Sequence, residues 1–385
     1  MMISRLQLKN WRNFKKVDVQ LRERVFVIGP NASGKSNLLD VLRFLRDIAK
    51  PEGGGLQRAV KDRLGLTKLR SLFARNDSEV LIVVELAEKQ DEPACWRYTL
   101  GFKSGGKGLQ RVVVKQEKVE DLISGRILFT RPDADDKIDA DRLTQTHLEQ
   151  INANKEFRAI SEFFGSLTYL HLVPQLLRYG DSIGGARLED DPFGQSFLER
   201  VAKTPKKFRD ARLRKIEQAL RACVPNMEKL EFVRDAATGA PHLQALYKHW
   251  RPDAGLQRED QFSDGTLRLL GIMWSLLEGA SLLLLEEPEL SLSEEIVRKI
   301  APLVWQMQRQ AKHKRQVFIT THSYALLDNK SIDPREVVWL EPTGDGTAVH
   351  SPTREDSALI KAGYSAGDVM LQRVRPSGVD QISML

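Results

Sequence analysis

The stretch Gly29–Ser36, GPNASGKS, constrains this chain more than any other segment of comparable length. It fits the spacing G-x-x-x-x-G-K-[ST], follows the apolar run Val25–Gly29 (VFVIG), and opens onto a helical pattern at Asn37–Ala49. A loop of this kind belongs between a strand and a helix. Its glycines let backbone N–H groups curl around phosphate oxygens, and the helix N-terminus adds partial positive charge. Lys35 has the reach for the β- and γ-phosphates, and the Ser36 hydroxyl suits Mg²⁺. Gly29, Pro30, Asn31, Ala32, Ser33, Gly34, Lys35, Ser36 and Asn37 are therefore the candidate phosphate contacts. An ordinary glycine turn is the alternative, and the strand–loop–helix setting weighs against it.

A second stretch, SLLLLEEPELSLSEE at 281–295, runs from four leucines into Glu286 and Glu287. It is too short for a membrane span. A short apolar run bounded by polar residues predicts a strand buried on both faces, as in a parallel sheet. Pro288 stops regular structure and biases Glu287 toward extended geometry. The two acids then sit at the carboxyl end of a central strand, where ligands bind in open α/β sheets. There Glu286 assists the metal through a water, and Glu287 is the general base for the attacking water. The alternative is a strand that ends at the surface with two solvated acids.

The α/β pattern is interrupted. Strands are expected at ISRLQLKNW and RVFVIG, then as an antiparallel meander at EVLIVVELAE, CWRYTLGFK and QRVVVKQEKVE, with a turn at Lys103–Gly108. A polar, Arg- and Glu-rich region follows from about 120 to 256, with its clearest helical pattern at 196–222. From Gly265 the alternation returns as a helix, the leucine strand, a helix at about 292–311, QVFITT and EVVWLE. The expected division is 1–115, an N-terminal half-unit, 116–256, a mostly helical insertion, and 257–385, the completing half. Two cysteines are too few for a disulfide framework or a zinc site, and the N-terminus lacks a signal-peptide core, so a cytoplasmic protein is expected. A net charge of +7 makes nucleic acid a conceivable partner without singling it out.

Four segments in order, GPNASGKS, FSDGTLRLL, LLLLEEPELSL and FITTHS, with LKNWRNFKK at the start, resemble ABC-type ATPases of the SMC/RecF/OLD-like branch. The resemblance covers about residues 1–115 and 257–345. It implies an α/β fold: an ABC-type P-loop NTPase head with an antiparallel β subdomain and a mostly helical insertion. It implies ATP and Mg²⁺ as ligands, and a homodimer or higher homo-oligomer closed around ATP. Ser263 and Gly265 then belong to a signature motif that contacts the γ-phosphate held by the partner subunit. Glu287 is the catalytic base, Ser291–Ser293 joins the two sites, and His322 senses the γ-phosphate. Gln175, in HLVPQLLR, corresponds to the glutamine that meets Mg²⁺, and Arg12 lies near the nucleotide. The plainer alternatives are a helix N-cap at Ser263–Gly265 and a surface histidine at 322.

Two departures matter. Glu286 stands where ABC-type proteins usually have Asp. OLD-like proteins often carry a nuclease domain, whereas about 60 residues follow His322 here, too few for one. The acidic run Asp133–Asp141 is expected to be a solvated loop in preference to a metal site. The segment 197–221 has nine Lys/Arg against three Asp/Glu and suits either DNA or an acidic protein. No sustained heptad predicts a long rod. The leading expectation is an ATPase that gates a separately encoded effector, such as a nuclease, in bacterial anti-phage defence. The alternatives are a RecF/SMC-like ATPase acting directly on DNA and a transporter subunit. FSDGT and EEPE, in place of SGGQ and DEPT, argue against the transporter.

Overall fold

Each apolar run expected to be a buried strand feeds two cores at once. The computed structural model describes residues 1–374, apart from 75–76, 107–110, 181–182, 184–187, 225, 252–254, 280 and 311–313. Its strands are β1 (Met2–Trp11), β2 (Phe14–Gln20), β3 (Arg24–Ile28), β4 (Val80–Ala87), β5 (Ala94–Ser104), β6 (Val112–Asp121), β7 (Arg126–Arg131), β8 (Thr168–Leu170), β9 (Met227–Arg234), β10 (Pro241–Tyr247), β11 (Leu256–Arg258), β12 (Leu283–Glu286), β13 (Val317–Thr321), β14 (Val337–Thr343) and β15 (Gly346–His350). They form an antiparallel sheet β2-β1-β4-β5-β6-β7, a small sheet β11-β10-β9, and a central sheet β15-β14-β3-β13-β12-β8. In the central sheet β14, β3, β13, β12 and β8 run parallel, and β15 is antiparallel.

Leu282 and Leu284 point into one core, Leu283 and Leu285 into the other. Val25 and Val27 alternate with Phe26 and Ile28 in the same way, as do Val338 and Leu340 with Val337 and Trp339. This period of two is why the runs read as continuously apolar: both faces are covered. The first core holds the helix Lys35–Ala49 between the central and antiparallel sheets. There Phe44 stacks on Phe102 at 5.4 Å and packs against Trp11 at 5.1 Å. The second core is covered by helices Asp264–Leu277 and Glu294–Gln310. Pro302 lies inside the latter and frees the carbonyl four residues back, which the Asn329 amide takes up at 3.3 Å.

The insertion expected over 116–256 contains more strand than its helical pattern foretells. Its boundary falls inside β6, β7 extends the antiparallel sheet, and β8 returns to the central one. β7 forms a hairpin with its neighbour β6, whereas the three-residue β8 pairs with the distant β12, a partner that no local pattern reveals. The helix expected at 196–222 is split into Phe197–Lys203 and Lys206–Leu220 at Pro205. The turn at Lys103–Gly108 lies partly outside the described residues.

The acidic run is solvated at Asp135, Asp139 and Asp141, but it is not all loop. Asp133 caps a short helix, Ala134–Ile138, and Asp136 is buried against Arg131 at 2.7 Å. Among the described residues no group of three or more His, Cys, Asp or Glu side chains is placed to hold a metal. Arg131 also faces the fully buried Glu117 at 3.5 Å, which accepts from Tyr98 Oη and the His147 and Leu148 amides. Burial pushes the Glu117 carboxyl up to about 7, against the pull of these hydrogen bonds and Arg131. Between its ordinary value of 4.5 and about 7, the unfolded chain gives up this proton while the folded chain keeps it. Stability from this group is thus present below about 4.5 and falls as pH rises to about 7. Relative to Glu117→Gln, the wild type should lose up to about 3 kcal/mol of unfolding free energy across that window. Denaturant titrations at several pH values measure this, and a flat difference contradicts it.

Candidate nucleotide-binding and hydrolysis site

β3 ends at Ile28, and the chain turns through Gly29–Gly34 before the helix Lys35–Ala49. Ala32 has φ 61° and Gly34 φ 99°. A left-handed alanine persists only where its surroundings fix it. Asn13 supplies that restraint: its amide donates to the Ser33 carbonyl (2.9 Å) and Thr347 Oγ1 (2.7 Å), and accepts from Asn37 Nδ2 (2.8 Å). A Cβ on Gly34 would lie 2.2 Å from Asn13 Nδ2, and one on Gly29 2.5 Å from Ser33 Oγ. Close approach disfavours a side chain at both places, and at Gly34 the left-handed backbone does so as well. No side chain caps the helix, so its first amides are available to phosphate. Ser33 Oγ is buried without a hydrogen-bond partner, a deficit that a phosphate oxygen relieves. Gly29, Pro30 and Asn31 line a cavity of about 470 Å³ with His322 and Tyr324.

Lys35 is buried beneath the loop, and its Nζ donates to the carbonyls of Gly29 (2.9 Å) and Pro30 (3.2 Å). Burial lowers its pKa, and the charges of Glu287, Glu289 and Glu286 oppose that. The Arg12 guanidinium donates to Asp40 Oδ2 at 2.7 and 3.0 Å. Asp40 also receives Arg63, and these cations overcome burial to keep its carboxyl below the usual range.

Glu286 closes β12. Ser36 Oγ donates to its Oε1, and Tyr169 Oη donates to its Oε2. A hydroxyl and a carboxylate already face each other, the oxygen donor set that suits Mg²⁺. Glu287 departs from the extended backbone expected before Pro288: its φ is 44°. Its N–H donates to the Thr320 carbonyl (3.1 Å) and Thr320 Oγ1 (3.2 Å), and its carbonyl accepts from Arg268 Nη1 (3.2 Å). These bonds override the local preference. His322 Nδ1 lies 3.3 Å from Glu287 Oε1, so the two expected catalytic side chains meet. Glu289 is buried beside them, accepting from Thr321 Oγ1 at 2.6 Å, and burial raises its pKa against that bond.

Ser263 caps the helix Asp264–Leu277, accepting from the Thr266 N–H at 3.2 Å. A Cβ on Gly265 would lie 3.0 Å from the carbonyl of Ser291, whose φ is 63°. The signature turn is therefore seated on the Ser291–Ser293 segment. Gln175 was expected beside Mg²⁺. Instead its amide donates to Asp264 at 3.1 Å, next to an Arg178–Asp264 ion pair of 2.8 Å. The residue of this segment that reaches Glu286 is Tyr169, which the sequence did not single out. Its strand has three residues and no apolar run, so only the adjacent PQ pointed to the region. Asn13 escaped notice too, although it stands one residue from Arg12.

Residues 24–328 match the family described as "AAA domain, putative AbiEii toxin, Type IV TA system". The chain belongs to this family. Its fold is that of SMC head domains. An Smc head crystallised with the C-winged helix domain of ScpA superposes with a TM-score of 0.55 at 14% identity, covering 93% of this chain and 100% of that one. A second, derived from Pyrococcus furiosus with an extended coiled coil and bound to the C-terminal domain of ScpA, gives 0.51 at 12% identity, covering 94% and 98%. The DNA replication and repair protein RecF of Bacillus thuringiensis (strain Al Hakam) is 44% identical over 46 residues. That match spans 12% of this chain and 12% of RecF.

Proposed function

We propose that this chain binds ATP with Mg²⁺, closes into a dimer around it, and uses hydrolysis to gate a separately encoded effector in bacterial anti-phage defence. The observation that carries the reading is the separation of two half-sites on one sheet. The phosphate loop follows β3, whereas the signature turn is tied to the segments after β12 and β8, two and three strands away in the sheet order. One chain's signature then serves another chain's loop. In that site Lys35 and the loop amides hold the β- and γ-phosphates. Glu287 accepts a proton from the attacking water, and His322, on its carboxylate, senses the γ-phosphate. Ser36 and Glu286 would hold Mg²⁺, whose chemistry is to neutralise charge on the β- and γ-oxygens. The toxin–antitoxin wording of the family supports the defence setting. A cytoplasmic location belongs to the same proposal; among the described residues no helix is long and apolar enough to cross a membrane.

The second reading, a RecF/SMC-like ATPase acting on DNA, draws support from the RecF match and from Lys206, Lys207, Arg214 and Lys215, exposed on one helix. Two measurements separate them. Co-expression with the neighbouring gene's product should give ATP-dependent co-elution if an effector is gated. Affinity of the isolated chain for duplex DNA that falls steeply with salt, without such co-elution, favours the second reading.

A further inference from the structure

Glu286 stands where ABC-type proteins usually have aspartate, and its extra methylene raises a positional problem. A longer carboxylate gains a rotatable bond, so a metal-side oxygen is placed less sharply unless something holds it. The structure contains such a holder. β8 pairs with β12 in parallel, with Tyr169 opposite Leu284. Side chains two apart on a strand share a face, so Tyr169 lies on the face of Leu284 and Glu286, above the helix Lys35–Ala49. Its hydroxyl donates to Glu286 Oε2, while Oε1 is turned to Ser36 Oγ. The phenol is fixed in turn: the ring is mostly buried in the first core, and the Arg43 guanidinium lies over it at 4.1 Å. Arg43 comes from the same helix that Ser36 opens.

We propose that Tyr169 is the positioning residue that fits a glutamate to the metal place of this site, anchoring one carboxylate oxygen so that the other faces Ser36. This rests on the Mg²⁺–ATP reading above. An aspartate at 286 is too short to keep this bond while staying beside Ser36. The role of Tyr169 is therefore specific to glutamate.

The test is Mn²⁺ binding, read by electron paramagnetic resonance, with a non-hydrolysable ATP analogue and the full chain. Nucleotide affinity in EDTA and thermal unfolding serve as controls. Tyr169→Phe keeps the ring and its packing and removes only the donor. It should weaken Mn²⁺ binding about tenfold, the usual scale for a group that orients a metal ligand. Nucleotide affinity in EDTA should not change. In a Glu286→Asp background the same substitution should change Mn²⁺ affinity less than about twofold, as in a double-mutant cycle with the contact already gone. Unchanged Mn²⁺ affinity in Tyr169→Phe overturns the proposal. So does an equal loss in the Glu286→Asp background, which would trace the effect to packing. If wild type binds no Mn²⁺ with the analogue, the Mg²⁺–ATP reading itself fails. If Tyr169→Phe unfolds, 3-fluorotyrosine at 169 keeps ring and donor and must retain Mn²⁺ binding within about twofold.

Discussion

Glu287→Gln should bind ATP normally and turn it over at least about a hundredfold more slowly, the usual contribution of a general base. The amide keeps the shape of the carboxylate and its place beside His322, and it cannot take a proton from water. The positive φ at 287 is imposed by backbone bonds to Thr320 and Arg268, which the substitution leaves intact. ATP should therefore accumulate bound, and the chain should elute as a stable ATP-dependent oligomer. Glu286→Gln should act differently. It removes charge from the residue that Ser36 and Tyr169 contact, so Mg²⁺-dependent nucleotide binding should weaken together with turnover. Steady-state ATPase rates and nucleotide binding for both variants decide the matter. A Glu287→Gln chain of normal rate beside a Glu286→Gln chain that binds but does not hydrolyse would reverse the two roles.

The sequence displayed those parts of the site whose chemistry is local. A phosphate loop needs its glycines, lysine and serine in one short stretch, and a strand buried on both faces must be apolar at every position. Both features survive in one dimension, so the loop, β3, β12 and the acids at its end were legible. Contacts that cross the sheet left no such trace. Tyr169 acts through its register opposite Leu284, which exists only once β8 pairs with β12. Asn13 acts from a turn between two antiparallel strands on a loop twenty residues away. Gln175 marks another limit of the sequence. The motif suggested metal contact, and the amide instead holds Asp264 on the signature turn. Glu287 took a left-handed backbone against the preference set by Pro288, because a neighbouring strand supplied two acceptors for its N–H.

A Ser263→Arg chain should bind ATP, fail to associate, and hydrolyse almost nothing alone. Ser263 supplies a hydroxyl, and the amides after it open the helix Asp264–Leu277 with the positive end of its dipole. In the proposed dimer these groups meet the γ-phosphate held by the other chain, and an arginine there fills that approach. Loss of the cap costs about 1 kcal/mol, so the variant should remain folded. Lys35→Ala has the complementary defect: its signature is intact and its phosphate loop has lost the lysine. Neither variant hydrolyses by itself. Mixed, they form dimers in which one composite site carries both defects and the other carries neither. In a two-fold dimer, activity at equal mixing should reach about a quarter of the wild-type rate if pairing is random, and at most about half if only complementary chains pair. The rate should vanish toward either pure variant. The measurement is ATPase rate against mixing ratio at fixed total protein, with mixed dimers counted by differential tags. Full activity of Ser263→Arg alone would remove the shared site from the mechanism. Zero activity at every ratio, with mixed dimers present, would mean that the sites fire only together or are not shared.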